Sequence, residues 1–123
     1  MTESHKLYCI VSKEAVEASK GVRGKMASQC GHAYLGAYLD SAARFPQAAQ
    51  AYLNSGVVAK ITLIAEEKQL HELAQFYKNK HGVFLVKDAG ITVFPRPMIT
   101  ALGIGPMLPS ERDEVLANLK TWT

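Results

Sequence analysis

The chain has 123 residues, 48% of them hydrophobic and 20% charged, with a formal net charge of +3. That size supports one hydrophobic core and one domain over residues 1–123; it excludes a two-domain enzyme and a disordered polymer, and no apolar run reaches the ~18 residues of a membrane span. The two cysteines, Cys9 and Cys30, show no CxxC spacing and no second ligand pair, so neither a disulfide framework nor a zinc site is expected.

The segment behind Met1 has no signal-peptide pattern, which with the sparse cysteines predicts a reducing, cytoplasmic setting. Lys6 to Val11 is apolar and β-prone, a first strand. Ser12 to Gly24 is rich in charge and glycine and reads as a connection. From Lys25 to about Ala43 apolar residues recur with helical spacing. Pro46 opens a second helix over Gln47 to Leu53 that stops near Asn54-Ser55-Gly56. Val57 to Ala65 is a second strand. A helix follows with Glu66 and Glu67 in its first turn, where negative charge suits the dipole, and with Leu70, Leu73, Ala74 and Tyr77 as its apolar stripe. It ends at Lys80-His81-Gly82. Val83 to Val86 is a third strand, and Asp88-Ala89-Gly90 opens a loop that Pro95 and Pro97 keep irregular. Ile99 to Ile104 is a fourth strand, and Ser110 caps a last helix reaching about Leu119.

The order βααβαββα predicts an α/β fold with a layered sheet, in which the third and fourth strands lack a crossover helix and can run antiparallel. Sites in such folds gather where strands end and loops meet. Here the loops after the first and third strands hold the unusual polar residues. Ala18 to Leu39 contains no acid but has Lys20, Arg23 and Lys25; Ala89 to Ser110 contains none but has Arg96. Brought together they form a basic face suited to phosphate; kept apart they are ordinary solvated surface.

On the first helix, at ~100° per residue, Lys25, Gln29, His32 and Gly36 share one stripe, beside an apolar face of Met26, Cys30, Ala33, Tyr34 and Ala37. The apolar face serves packing, whereas Lys25, Gln29 and His32 have no packing reason. Lys25 also sits at the helix start, where a cation opposes the dipole unless an anion lies against it. Cys30 and His32 are two apart and point in different directions, which disfavours a thiol–imidazole pair. Gly21 to Lys25 resembles a phosphate-cradling loop but has Ser19 and Met26 where the P-loop needs Gly and Ser or Thr. Asp88, at a strand end, reads either as a turn residue or as a charged partner.

Three blocks in order, Gly24-Lys25-Met26-Ala27-Ser28-Gln29-Cys30-Gly31-His32-Ala33, Asp88-Ala89-Gly90-Ile91-Thr92 and Ile104-Gly105-Pro106, resemble the signature of the type-2 (archaeal and eukaryotic-type) peptidyl-tRNA hydrolases over about residues 5 to 121. The resemblance implies a four-stranded mixed sheet sandwiched between helices, a three-layer α/β/α fold, commonly as a homodimer. It implies metal-independent and cofactor-free hydrolysis of the ester joining a peptide to the 3′ end of tRNA. Lys25 and Asp88 would be the catalytic pair, with Gln29, His32 and Thr92 in the same pocket, and Lys20, Arg23, Arg96 and Thr100 would serve substrate binding. Asp88 or a Thr92 relay would orient the water. Lys25 would stabilise the oxyanion with the Gln29 amide, or grip a terminal phosphate.

The chain departs from the family pattern at Ile91 and Val93, which replace a basic residue and an amide. It departs again at Arg96 to Thr100, where only the second threonine of a Pro-Gly-Thr-x-Thr segment remains. A catalytically weakened relative that binds tRNA or a protein is the alternative reading. A hydrolase of other small esters or amides is a third.

Overall fold

The structure is a computed structural model that describes residues 3–123. Strand β1 (Lys6–Ser12) is buried along nearly its whole length and lies in the middle of the sheet. Its side chains alternate between two clusters, as a period of two requires. Tyr8 and Ile10 join one cluster, Cys9 and Val11 the other.

Helix α1 (Lys13–Ala18) starts directly at the strand end, because Ser12 Oγ accepts the Ala15 N–H at 3.1 Å. The expected connection over Ser12 to Gly24 therefore contains a helix; its charge and glycine content masked the Ser12 cap. Helix α2 (Arg23–Arg44) stops because Pro46 bars the residue before it from helical geometry, and Phe45 takes φ −134°. Helix α3 (Pro46–Asn54) follows with Pro46 in its first turn. Strand β2 (Lys60–Ala65) runs parallel to β1, and α4 (Glu67–Tyr77) carries Leu70, Leu73 and Tyr77 into the Tyr8–Ile10 cluster. Strand β3 (Val83–Asp88) and the long β4 (Met98–Met107) pair antiparallel, and β4 also pairs antiparallel with β1.

The sheet has five strands, in the order β3-β4-β1-β2-β5, rather than the expected four. The extra strand β5 (Lys120–Thr121) is two residues long and hangs on β2. So short a strand has no periodicity to read. The end of the chain differs in a second way. Pro109–Glu111 forms a 3₁₀ turn, and α5 (Glu114–Ala117) is capped by Asp113 rather than Ser110. Asp113 Oδ1 accepts the Leu116 N–H at 3.0 Å, and the Tyr77 hydroxyl, 2.5 Å away, donates to the same oxygen. A partner on α4 thus decides where the last helix starts. No described helix is long and apolar enough to cross a membrane.

Two glycines let α2 lie close on the sheet. A Cβ at Gly103 of β4 would overlap the Ala33 carbonyl, and one at Gly36 of α2 would overlap the Phe84 ring of β3. Gly36, which shares a stripe with Lys25, Gln29 and His32, is therefore a packing residue. This seating brings the first turns of α2 over the ends of β3 and β4, where Asp88 pairs with Met98 across the ladder.

Candidate active site

The first turn of α2 is electrostatically unfavourable on its own. Its N-cap, Val22, supplies no side-chain oxygen, and the turn contains no acid but holds Arg23 and Lys25. Cations there oppose the helix dipole. The balancing charge comes from the end of β3. Lys25 Nζ lies 2.7 Å from Asp88 Oδ2. It also lies 3.5 Å from the Thr92 hydroxyl and 5.8 Å from the centre of the Phe94 ring. The lysine side chain is 22% exposed and the aspartate 11%, so the pair is partly withdrawn from water yet reachable. Attraction between charges is stronger there than on open surface.

Asp88 fulfils both of its sequence readings, one on each oxygen. Oδ1 accepts the Gly90 N–H at 2.8 Å, which makes the turn; Oδ2 takes Lys25 and, at 3.4 Å, the Gln29 amide. Gly90 is required here. Its φ is +76°, and a Cβ would run into the Arg96 carbonyl, so the 89–97 loop closes on itself only with glycine at this place. The Lys25 ammonium, and then the Gly90 N–H, hold the Asp88 carboxyl below the usual carboxylate range despite partial desolvation; nearby His32 pulls weakly the same way.

Gln29 is buried on the inner side of the pair. Its amide N–H reaches Asp88 while its carbonyl oxygen accepts the Thr100 hydroxyl at 2.6 Å. Thr100 has no exposed surface and lies 3.5 Å from the Val86 carbonyl as well. Thr100, expected to bind substrate, is thus placed beneath the site, where it orients Gln29. Gln29, expected as an oxyanion donor, is itself only 3% exposed and contacts Asp88 instead.

Lys25, Gln29, Asp88, Thr92 and Thr100 form one hydrogen-bonded cluster. The remaining expected residues stay outside it. His32 is exposed, one turn further along α2. Lys20 occupies the α1–α2 turn with φ +50°, Arg23 is the first residue of α2, and Arg96 closes the 89–97 loop; all three are exposed. Among the described residues none of these four side chains makes a hydrogen bond or ion pair. Sequence reasoning missed Phe94, which is 2% exposed and anchors the loop in the cluster of Cys9 and Val11 beneath the Lys25 ammonium. A lone aromatic just before two exposed prolines was the available signal.

Cys9 and Cys30 are both free and buried in that cluster. Hydrogen bonding to Cys30, and then burial, pushes the Cys9 thiol up and away from nucleophilic use.

The arrangement offers a carboxylate fixed in its charged form, an ammonium with donor capacity to spare and an exposed hydroxyl. Such groups can hold a water and an anionic oxygen next to each other. A family model described as Peptidyl-tRNA hydrolase PTH2 matches residues 5–122. A peptidyl-tRNA hydrolase of Methanopyrus kandleri is 40% identical over 102 residues, covering 79% of this chain and 84% of its own length. One from Methanococcus vannielii is 35% identical, covering 80% and 85%. A probable peptidyl-tRNA hydrolase 2 of Schizosaccharomyces pombe is 38% identical over 80% of this chain, which spans 48% of that longer protein.

Proposed function

The chain belongs to the peptidyl-tRNA hydrolase PTH2 family, and from that premise we propose how its site cleaves the ester joining a peptide to the 3′ end of tRNA. The observation that carries the mechanism is the 2.7 Å pair of Lys25 and Asp88 at the mouth of α2. The products are free peptide and free tRNA. Water must attack the ester carbonyl, the oxyanion must be stabilised and the ribose oxygen must leave with a proton.

Lysine has three N–H donors. One is directed at Asp88 and one at Thr92, which leaves the third for the developing oxyanion. A well-aimed charged donor of this kind contributes roughly 3 kcal/mol to the transition state. Asp88 is held ionised, so its proton affinity is too low for it to be a strong base; its role is to position Lys25 and orient the water. Thr92, exposed beside both, relays the proton between water and leaving oxygen. Base assistance of this type contributes ~10²–10⁴-fold. Gln29 and Thr100 are positioning residues that keep Asp88 aimed. His32 lies near the pair and carries at most a weak electrostatic role.

Lys20, Arg23 and Arg96 supply the grip on tRNA phosphates from the two loops that flank the pair. Retention of the whole hydrogen-bonded cluster supports an enzyme; no observation favours a weakened relative acting only as a binding module. Residues 1–123 then act as one catalytic domain with helices layered on both faces of the sheet, supported by the two clusters that β1 feeds. The chain works as a cytoplasmic homodimer, the pairing supported by Leu35 and Leu39, which are more than half exposed along α2.

Release of peptide from peptidyl-tRNA by the purified chain tests the reading. Turnover by the wild type, with its loss in both Lys25→Ala and Asp88→Ala, is the expected result. Full activity in either variant would overturn the mechanism, and an inactive but folded wild type would overturn the activity.

A further inference from the structure

On the other side of the first turn of α2 lies a cavity of about 480 Å³ that the mechanism does not use. Val16 of α1, its C-cap Ser19, Gly21 of the following turn, Arg23 and Met26 of α2, and Trp122 and Thr123 line it. Its volume falls within the range of small-ligand sites. Trp122 is placed by its N–H to the Thr62 carbonyl, 3.0 Å away, just past β5, and its ring packs against the cluster of Cys9 and Met26 while remaining partly exposed. Among the described residues neither the indole N–H nor the Arg23 guanidinium has a hydrogen-bond partner. Met26, almost fully buried, gives an apolar and polarisable floor. No Asp or Glu side chain lines the cavity.

A flat aromatic wall, an apolar floor and a free guanidinium at the rim suit a flat aromatic ring that carries a phosphate. Nucleobases bind in this way, stacked on aromatic side chains and arginine planes. A purely apolar ligand would leave the Arg23 guanidinium at the rim without a partner. Location narrows the identity further. Met26 and Lys25 are consecutive, with Cα atoms ~3.8 Å apart, but their side chains diverge by ~100°. One turns to the cavity and the other to Asp88. The cavity and the ion pair thus flank the same turn of α2.

We propose that the Trp122–Arg23 cavity is a nucleobase slot that holds the terminal adenine of the tRNA acceptor end, stacked on the indole, while the ester on the same ribose meets Lys25. The slot's assignment to tRNA rests on the hydrolase reading above. It adds a substrate-positioning site formed by the end of the chain and the α1–α2 turn.

Trp122 is the sole tryptophan, so its fluorescence reports the slot directly. The full chain is titrated with adenosine 5′-monophosphate and, as a base-free control, ribose 5-phosphate. Saturable quenching by the nucleotide alone is expected, with Arg23→Ala weakening it about five- to tenfold. Trp122→Ala should raise KM for peptidyl-tRNA about tenfold and leave cleavage of a minimal ester without a base unchanged; Trp122→Phe should restore most of the loss. No quenching, or equal quenching by ribose 5-phosphate, overturns the slot, as does an unchanged KM in a folded Trp122→Ala. Should Trp122→Ala not fold, the wild-type titration decides. Hydrolysis without quenching rejects the slot and leaves the hydrolase reading intact; quenching without hydrolysis supports a nucleotide slot and rejects that reading.

Discussion

Helix α2 carries an ion pair at each end, and the two are built for different ends. At its C-terminal end Arg44 grips Asp40 one turn back, through Nε at 2.9 Å and Nη2 at 2.6 Å. The arginine also donates to the Lys78 and His81 carbonyls, and Asp40 accepts the Val83 N–H at 2.9 Å. Charge sign and helix dipole agree there, and every contact ties α2 to the end of α4 and the start of β3. At the N-terminal end Lys25 opposes the dipole, its partner comes from a distant strand, and the pair leaves donor capacity unused. The first pair is complete and stabilises the fold. The second is incomplete by design, and an incomplete pair in a notch is what a substrate can finish.

The largest expected effect follows from that contrast. Asp88→Ala or Lys25→Ala should lower kcat/KM by about 10²–10³-fold, and Lys25→Ala should do so with little change in melting temperature. Asp40→Ala should do the reverse, with about 1–2 kcal/mol of stability lost as the Val83 N–H loses its acceptor, and turnover near wild type. Parallel steady-state kinetics and thermal melts on the variants give both readouts. A large activity loss in Asp40→Ala without a change in stability would erase the distinction.

Next in size is Thr100→Val. It removes the donor that orients the buried Gln29 and leaves a buried acceptor unpaired, a cost of roughly 1–3 kcal/mol in stability. Activity should fall less than in Asp88→Ala, through kcat rather than KM, because Thr100 touches no substrate.

The pH behaviour separates the pairs more finely. Asp88 is held low by Lys25 first and Gly90 second, and Asp40 by Arg44 first. A depressed carboxyl contributes stability that is present above the ordinary carboxylate range, near ~3.9, and lost as pH falls through its own lower value. Carboxyl NMR titration should therefore place both groups below that range. In Lys25→Ala the Asp88 midpoint should rise towards it while Asp40 stays put. An Asp88 midpoint that ignores Lys25 would show that the pair does not form in solution.

The smallest effect concerns grip. Arg96→Ala should shallow the slope of log tRNA affinity against log salt by about 0.7–0.9 and spare cleavage of a minimal ester. An unchanged slope would place Arg96 off the tRNA path.

Much of the fold was legible because burial writes itself into periodicity. The apolar, β-prone run Lys6 to Val11 and the stripe of Leu70, Leu73 and Tyr77 appear in the structure as a buried strand and a core-facing helix. The chemistry-bearing residues were legible as oddities: a lysine at the wrong end of a helix, an aspartate at a strand end and an amide with no packing task; Thr92 was legible only through the family signature. Helix α1 was missed because a single serine cap starts it, and β5 because two residues cannot show a period.

What the sequence determined by itself was local: element types, the apolar faces, the family signature and the identities of Lys25 and Asp88. Tertiary structure alone decided the rest. It buried Gln29, expected as an oxyanion donor, together with Thr100, expected to bind substrate, since burial depends on how closely Gly36 and Gly103 let α2 approach the sheet. It gave Asp88 two roles, because only a folded loop brings the Gly90 N–H and the Lys25 ammonium to different oxygens of one carboxylate. It also set Trp122 and Arg23 around one cavity, an arrangement that no spacing along the chain encodes, because it depends on β5 reaching the edge of β2.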